Sequence, residues 1–541
     1  MSMLKKKGRG GVKGILAVVL ALALVLPLVL VPAPAGAEVA DGVYSFGSGS
    51  YGKTGHGDAG NRELPERVAG LDNVKDVAAG LDHSVVLLHS GEVYTFGRSR
   101  RGQLGHGDTE EKRTPTLVEG ISNAKAIAAG TYNTYIILQN GDVYSCGRNS
   151  YGQLGHSDRE DTPTLQKMEG IQNAVAVSAG NDHALILLEN GDVYAIGANT
   201  RSGGQLGLGD DSDSSYDTPQ QVPLPGKAKD IAAGASHSLF LLENGDVYAA
   251  GSNRYGQLGA DVEVRTTAYK TLQPVTGIGP AQAVSAGTSF SMVLLENGDV
   301  YTFGYGSHGR LGHGDEEDRH RPARVEGLSG VSMIENGRYH SLAVRENGDI
   351  YGFGDNSDGQ LGLGDTNNRL TPERIEALSG NNALALAAYG HTLVLVGTPP
   401  ITIEIDGQLL HTDVPPIILQ GRTMVPLRAI FEALDTDVDY DPDTRLITGT
   451  RGATRIELTV DSTQATVNGE GVNLDAPATV MEGRTLVPVR FIAESTGQDV
   501  DWEARTRTVL ITTIEPGDDF IEPGDDFIEP GDDFIEPGDD F

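Results

Sequence analysis

Cysteine and tryptophan are nearly missing from this sequence, which holds one of each among 541 residues. The single cysteine, Cys146, excludes an internal disulfide framework. Basic residues are scarce as well, with 41 Lys and Arg against 75 Asp and Glu, for a net charge of −34. A chain this acidic repels phosphate backbones, so we do not expect nucleic acid as a partner.

Long apolar runs are missing except at the N-terminus, where residues 15–31 are almost entirely apolar. A basic segment precedes this run, and Ala35-Gly36-Ala37 follows it as a small-residue cleavage signal. The order predicts a signal peptide over residues 1–37, cleaved after Ala37, and a secreted or cell-surface protein with no membrane span after cleavage. The alternative is an uncleaved anchor, since roughly 20 apolar residues span a bilayer. Pro27 and the cleavage signal favour the signal peptide.

What the sequence holds in abundance is a repeat. A Val-Tyr or Ile-Tyr pair preceded closely by glycine occurs seven times, at spacings of 50, 50, 50, 54, 53 and 50 residues. A period near 50 residues suits a four-stranded propeller blade and is too long for a helical pair. The tyrosines are Tyr44, Tyr94, Tyr144, Tyr194, Tyr248, Tyr301 and Tyr351.

Each repeat contains strands joined by tight turns. Residues 83–88 and 237–242 are short, apolar and partly β-branched, as buried strands are. An Asn-Gly turn follows in most repeats and predicts a type I′ hairpin turn. The Val-Tyr strand returns, and a glycine-rich loop such as Gly102-Gln103-Leu104-Gly105 comes after it. Cys146 stands where other repeats carry Phe or Ile, so we predict a small core residue rather than a nucleophile.

The two ends of the array are complementary. Residues 43–46 form a Val-Tyr strand with no partner segment before it, and residues 391–396 form an apolar strand with no Val-Tyr strand after it. Pairing these strands would close a ring of seven and leave no open edge. The sequence therefore predicts a mainly β fold over residues 38–397, a seven-bladed propeller closed by its N- and C-terminal strands.

Three submotifs recur in register over residues 41–397: Gly-Gln-Leu-Gly-x-Gly-Asp, Ala-Gly-x-x-His-Ser and Asn-Gly-x-Val-Tyr-x-Phe-Gly. They resemble the RCC1 repeat family of β-propellers. Departures are local, such as Gly52-Lys53-Thr54-Gly55 in the first repeat. In the founding member of that family, a nuclear exchange factor for a small GTPase, one propeller face that includes the Ala-Gly-x-x-His loops contacts the partner. We do not expect exchange activity here, because the signal peptide places the chain outside the cell.

The resemblance directs attention to the matching loops of this chain. Their x-x residues vary most in chemistry, and varied aromatic and charged side chains on one rim suit recognition. The alternative is a merely solvated loop. The candidate ligand-binding residues are Asp82, Tyr132, Asp182, Arg338 and Tyr339.

Histidines recur at two positions of the repeat. His83, His183, His237, His340 and His391 share one position, and His56, His106, His156 and His313 share the other. A metal site would need ligands that converge to about 2 Å from the ion, whereas these residues belong to different blades. We predict capping hydrogen bonds repeated from blade to blade, with no metal and no cofactor.

A second duplication follows the propeller. Residues 421–432 match residues 483–494, and Pro426 and Pro488 suit the first turn of a helix. This α+β module, residues 398–513, resembles the stalk domain named after the N-terminal part of copper amine oxidases, which is common on bacterial cell-surface proteins. His411 is its only histidine, too few for a copper site. Residues 514–541 are four copies of Ile-Glu-Pro-Gly-Asp-Asp-Phe, and this acidic composition predicts a disordered tail.

These features favour a secreted or wall-associated binding or scaffold protein that is monomeric and presents a propeller face to an extracellular protein or a cell-wall glycan. One alternative is an extracellular lyase or hydrolase that uses the central face. No nucleophile–base motif or paired catalytic carboxylates support that alternative, so we predict no catalytic residues. A purely architectural wall component is the third possibility.

Overall fold

The computed structural model describes residues 40–199, 203–209, 214–262, 268–378, 381–397, 401–410, 412, 414, 416–419, 422–441, 443–481, 484–503 and 507–513. The expected signal peptide, the acidic tail and His411 lie outside these residues.

The first part of the described chain, up to residue 397, is built almost entirely of short strands. In chain order they are β1 (Gly42–Gly47), β2 (Arg62–Arg67), β3 (Val74–Ala79), β4 (His83–Leu88), β5 (Val93–Gly97), β6 (Lys112–Leu117), β7 (Ala124–Ala129), β8 (Asn133–Leu138), β9 (Val143–Gly147), β10 (Thr162–Lys167), β11 (Ala174–Ala179), β12 (His183–Leu188), β13 (Val193–Gly197), β14 (Tyr216–Gln221), β15 (Ala228–Ala233), β16 (His237–Leu242), β17 (Val247–Gly251), β18 (Tyr269–Pro274), β19 (Ala281–Ala286), β20 (Phe290–Leu295), β21 (Val300–Gly304), β22 (Arg319–Arg324), β23 (Val331–Asn336), β24 (His340–Arg345), β25 (Ile350–Gly354), β26 (Arg369–Arg374), β27 (Ala383–Ala388) and β28 (His391–Val396). Two short 3-10 turns, Ser50–Gly52 and Ser307–Gly309, follow β1 and β21.

These strands form antiparallel four-stranded sheets, which confirms the prediction of a mainly β chain with blade-like sheets. Sheets 1 to 6 are β3–β6, β7–β10, β11–β14, β15–β18, β19–β22 and β23–β26, each in chain order. Sheet 7 has the order β27-β28-β1-β2, in which β1 pairs with β28 from Gly42 opposite Val396 to Gly47 opposite His391. The first strands of successive sheets contact one another, and β27 contacts β3.

Burial changes systematically across each sheet. The second strand is buried along almost its whole length, as in β4, with His-Ser-Val-Val-Leu-Leu. The fourth strand is charged and contains proline, as in β2 with Pro65 and β6 with Pro115. Charge and proline on an outer strand discourage further strand pairing, so the sheets end there.

The hairpin turns between the second and third strands differ from the predicted type I′ geometry. In the turn after β8 only Gly141 has a positive φ, at 78°, and its N–H donates to the carbonyl of Leu138 at 2.9 Å. Gln139 and Asn140 are therefore the central turn residues, and glycine occupies the left-handed position of a bulge that follows. The Asn140 side chain accepts the N–H of Asp142, which favours this register over the two-residue loop.

The second module contains the remaining strands and two helices. These are β29 (Thr402–Ile405), β30 (Gln408–Leu409), β31 (Ile417–Leu419), β32 (Arg422–Pro426), α1 (Leu427–Ala433), β33 (Asp437–Asp441), β34 (Leu446–Arg451), β35 (Thr454–Thr459), β36 (Gln464–Val467), β37 (Glu470–Asn473), β38 (Thr479–Met481), β39 (Arg484–Pro488), α2 (Val489–Ser495), β40 (Gln498–Glu503) and β41 (Thr508–Thr513). The two halves of the duplication meet where β32 pairs with β39. Pro426 and Pro488 stand one residue before their helices, not in the first turn as predicted. Their extended ψ angles, 123° and 117°, keep them outside the helix.

Candidate binding face

Two sets of loops lie at the same end of every antiparallel sheet in the first module. One set joins the first strand to the second and contains the predicted x-x residues. The other joins the third strand to the fourth and contains the glycine-rich segment. Together they form a surface that we term the loop face, and the Asn-Gly hairpins lie at the opposite end.

Asp82 is buried in the loop face, where its carboxylate contacts two cationic side chains. Its carboxylate lies 3.3 Å from Lys53 Nζ and 3.0 Å from Arg98 Nη1. Lys53 is only 4% exposed, and burial lowers the pKa of its ammonium group against the opposing pull of Asp82. Asp82 thus joins two loops electrostatically and offers little free surface.

Asp182 has a similar arrangement in sheet 3 but is more accessible. Arg148 Nη1 donates to its carboxylate at 2.7 Å, and the same guanidinium lies 5.5 Å from the ring centre of Tyr151. Partial burial raises the pKa of Asp182 while Arg148 lowers it. Tyr132, in the corresponding loop of sheet 2, is partly buried.

Arg338 and Tyr339 form the most open part of the predicted set. The exposed Arg338 guanidinium lies 4.7 Å from the ring centre of Tyr339. A second guanidinium, that of Arg310, lies 4.8 Å from the same ring and 4.9 Å from the ring of Tyr305. The structure therefore brings Arg338 and Tyr339 together, whereas Asp82 and Asp182 belong to separate ion pairs.

Sequence reasoning missed an additional group of aromatic and basic residues on this face. Two of the tyrosines stand just before a Gly-Gln-Leu-Gly loop, one stands before its counterpart Gly52-Lys53-Thr54-Gly55, and one follows Val-Tyr-x-Phe-Gly. These positions could have been read as variable too. Arg98 lies 4.4 Å from the ring of Tyr51, the most exposed of them at 38%. The missed residues are Tyr51, Arg98, Arg148, Tyr151, Arg254, Tyr255, Tyr305 and Arg310.

The first set of histidines links neighbouring sheets. His83 Nε2 lies 3.0 Å from Thr134 Oγ1 in sheet 2, and His237 Nε2 lies 2.9 Å from Ser291 Oγ in sheet 5. His183, His340 and His391 make the same contact, to Ser238, Thr392 and Ser84. The predicted hydrogen bond thus exists, but it reaches the next sheet instead of capping its own strand. Burial lowers the pKa of these imidazoles, to about 4 for His83 and His237, so they are neutral.

The second set of histidines acts within single sheets. His106 Nε2 lies 2.9 Å from Thr95 Oγ1, and His313 Nε2 lies 2.9 Å from Thr302 Oγ1. His56 and His156 contact Ser45 and Ser145 in the same way. Each contact fastens a glycine-rich loop to the third strand. Within the described residues no cluster of three or more His, Cys, Asp or Glu has the arrangement of a metal site.

The first strands of the sheets surround a cavity of about 310 Å³ lined mainly by alanine and glycine. Two of its polar side chains accept N–H groups of the neighbouring first strand. Asp230 accepts the N–H of Val284 at 3.1 Å, and Ser285 Oγ accepts that of Asn336 at 2.8 Å. Tyr389 spans the cavity, because its hydroxyl reaches Asn181 at 2.5 Å and Thr131 at 2.9 Å.

Cys146 is fully buried, and burial raises the pKa of its thiol to about 12. It lies among the core residues of β9, where the comparison of repeats predicted it.

Blade-like sheets with a shared loop face define a propeller-type repeat protein. The RCC1-like domain matches residues 127–398, half of the chain, and the RCC1 repeat matches residues 41–87 and 90–137. The chain therefore belongs to the RCC1 repeat family. Residues 404–511 match the copper amine oxidase N-terminal domain.

Individual relatives match only part of the array. The chain is 38% identical over 127 residues to the ultraviolet-B receptor UVR8 of Arabidopsis thaliana, which is 23% of this chain and 28% of that protein. It is 40% identical over 110 residues to the X-linked retinitis pigmentosa GTPase regulator of Canis lupus familiaris, 20% of this chain and 11% of that protein. The matched segments thus span less than a third of these relatives.

Solved structures match over a longer range. Prp20p of Saccharomyces cerevisiae has a TM-score of 0.59 at 23% identity and covers 67% of this chain and 92% of that one. Human WBSCR16 has a TM-score of 0.58 at 23% identity, and the match covers 66% of this chain and 100% of that one. At this identity the likeness establishes the fold. Among the described residues, no helix has the length and apolar character to cross a membrane.

Proposed function

We propose that the chain is a secreted or wall-associated, non-enzymatic binding protein, a closed seven-bladed propeller whose loop face engages a protein ligand. One observation carries this proposal. On the loop face, the guanidinium groups of Arg338 and Arg310 both lie within 5 Å of the ring centre of Tyr339. Arginine and tyrosine are enriched where protein interfaces concentrate their binding energy, because they combine a large contact area with directional hydrogen bonding.

Closure of the ring supports a rigid binding platform. The antiparallel pairing of β1 with β28 and the contact of β27 with β3 favour a ring with no open edge. Functional side chains placed on loops of such a scaffold keep their relative positions, which reduces the entropy lost on binding.

A solved structure with the same fold favours a protein ligand over a glycan. A structure of Prp20p describes its binding to Gsp1p and histones. Secretion is supported by the pattern of residues 1–37, and attachment at the cell surface by the match of residues 404–511.

A pull-down from wall and secreted fractions tests the face. The bait is the chain itself, compared with a Tyr132→Ala, Arg338→Ala and Tyr339→Ala triple variant that leaves the Asp82 and Asp182 ion pairs intact. We expect at least one protein recovered by the native chain and lost from the variant. An Arg345→Gln variant is the matched control, because Arg345 also stacks on a tyrosine, at 4.6 Å from Tyr351, but at the Asn-Gly end of its sheet. Recovery of the same proteins by all three baits would refute the loop face as the binding surface. Recovery of glycan alone would refute a protein as the ligand.

A further inference from the structure

The arginines of the loop face that stack on tyrosine rings fall into two groups. Arg98 and Arg148, in sheets 1 and 2, form ion pairs with Asp82 and Asp182 at 3.0 and 2.7 Å. The others form no ion pair with any residue that the structure describes. These are Arg254, Arg310 and Arg338, in sheets 4, 5 and 6.

The uncompensated arginines are joined by tyrosine rings into one surface. Tyr255 and Tyr305 lie with their ring centres 4.4 Å apart. Arg254 lies 5.5 Å from the first of these rings, and Arg310 4.9 Å from the second. Arg310 and Arg338 then share the ring of Tyr339. We term this set the arginine–tyrosine patch: Arg254, Tyr255, Tyr305, Arg310, Arg338 and Tyr339.

Arg310 is the central member, and its guanidinium forms no ion pair with a carboxylate in the part of the chain that the structure describes. The side chain is 1% exposed, its Nε donates to the carbonyl of Ser307 at 2.7 Å, and its buried Nη1 has no hydrogen-bond acceptor. The nearby carboxylates are engaged elsewhere. Asp355 accepts from Gln360 Nε2 at 2.8 Å, and Asp318 accepts the N–H of Gly306 at 3.0 Å.

A buried guanidinium without an anion is costly, and five other repeats avoid it by carrying glutamine at this position. These are Gln103, Gln153, Gln205, Gln257 and Gln360. The arginine in the sixth repeat is therefore a local feature of the patch and not a requirement of the fold.

The chain itself contains a segment of complementary chemistry. Residues 514–541 hold four copies of Ile-Glu-Pro-Gly-Asp-Asp-Phe, each with three acidic residues, one phenylalanine and no basic residue. We propose that the arginine–tyrosine patch binds the Asp-Asp-Phe segments of this tail, so that the protein's own tail occupies part of the loop face. This inference rests on the proposed role of the loop face as a binding surface.

The pairing follows from the groups on each side. Aspartate carboxylates accept paired N–H bonds from arginine, which are stronger than hydrogen bonds between neutral groups. A phenylalanine ring packs on the faces of half-buried tyrosines and of an exposed arginine such as Arg338. Four copies on one tail raise the effective concentration of the motif at a single patch.

The test uses a full chain in which the tail can no longer compete. This tail-neutral variant carries D518N, D519N, D525N, D526N, D532N, D533N, D539N and D540N. A fluorescein-labelled synthetic peptide of residues 514–541 is titrated with it, and fluorescence anisotropy reports binding. We expect binding that weakens as NaCl rises from about 50 to 500 mM, because salt screens the charges.

Substitutions in the tail-neutral chain locate the site. R310Q introduces the residue that other repeats carry, so the fold tolerates it, and R338Q changes an exposed side chain. We expect the R310Q/R338Q pair to raise the peptide Kd on the order of tenfold. R345Q, the arginine–tyrosine stack outside the patch, leaves the Kd within about twofold of its starting value.

The native chain provides a second measurement in this experiment. Its own tail should compete, so the labelled peptide binds it several-fold more weakly than it binds the tail-neutral chain. Equal affinity for these two chains, or equal effects of R345Q and R310Q/R338Q, overturns the inference. The pull-down separates this outcome from the proposed function, since an external protein lost only from the Tyr132/Arg338/Tyr339 variant supports the face whether or not the peptide binds.

Discussion

His391 Nε2 lies 2.6 Å from Ser84 Oγ, although the two residues are 307 positions apart in the chain. Ser84 Oγ donates its own proton to the carbonyl of Lys53 at 2.7 Å, so the imidazole is the donor in this contact. The contact joins sheet 7 to sheet 1. Together the two contacts connect the histidine of one repeat, the hydroxyl that follows the histidine of the next and a glycine-rich loop, so they link two of the three submotifs.

Removing the Ser84 hydroxyl tests how much the contact with His391 contributes to the free energy of unfolding. S84A leaves a buried imidazole N–H without an acceptor, at a cost of about 1–3 kcal/mol in the free energy of unfolding. S341A is the comparison variant, because Ser341 Oγ also lies within hydrogen-bond distance of a loop carbonyl, that of Arg310, but its second contact is Asn336 Oδ1 at 3.0 Å and not an imidazole. Guanidinium unfolding of both variants measures the difference. A loss in S341A as large as that in S84A would mean that the histidine contact adds nothing.

The repeat itself was predictable because each unit carries the same turn, loop and buried strand. The pairing β1–β28 matches an expectation drawn from the two orphan strands. The histidine contacts were less accessible to sequence reasoning, since each acceptor belongs to a neighbouring sheet, 51 to 55 positions away in four cases and 307 in the fifth. The same holds for the face, because Arg310 and Tyr339 come from loops of different sheets and meet only in three dimensions.

Acid should destabilise the protein through its buried histidines. The pKa of His237 is about 4 in the folded chain and 6.5 without burial. The unfolded chain therefore binds more protons between these values, and stability present above pH 6.5 is lost as the pH falls towards 4. For one such histidine the loss between pH 7.5 and 5 is about 2 kcal/mol.

The variant H237N isolates this effect, because asparagine does not titrate and Asn133 occupies the same position in sheet 2. The free energies of unfolding of the native chain and H237N are measured at pH 7.5 and pH 5. We expect the advantage of the native chain to shrink by about 2 kcal/mol at the lower pH. A constant difference would contradict a neutral buried imidazole.

Glu335 should have the opposite dependence on pH. Burial raises the pKa of its carboxyl from 4.5 to about 8, with Asp230 and Asp76 adding to the effect. The folded chain then binds the extra proton, so the stabilisation is complete below about pH 4.5 and is lost as the pH rises towards 8. E335Q keeps an acceptor for the N–H of Ala388 and removes the titration.

Between pH 5 and pH 8 we expect the native chain to lose up to about 3 kcal/mol of unfolding free energy relative to E335Q, and less to the extent that solvent screens this half-buried residue. Unfolding curves of both proteins at the two pH values provide the measurement. Parallel pH profiles would show that Glu335 is ionised in the fold.

Asp82 was predicted to contact ligand, and its burial beside Lys53 suggests that substitution acts on stability first. The two side chains are 12% and 5% exposed, so D82A leaves the Lys53 ammonium buried without its anion. Breaking a buried pair in this way costs about 3 kcal/mol or more. Adding K53Q to D82A should recover most of the loss, because glutamine fills the corresponding site in five other repeats and accepts a loop N–H, as Gln103 does from Arg101 at 2.9 Å. Thermal and guanidinium unfolding of the two variants test the recovery. If D82A were as stable as the native chain but recovered less partner in the pull-down, Asp82 would be a ligand contact. The ion pairs of Asp82 would then contribute little to stability.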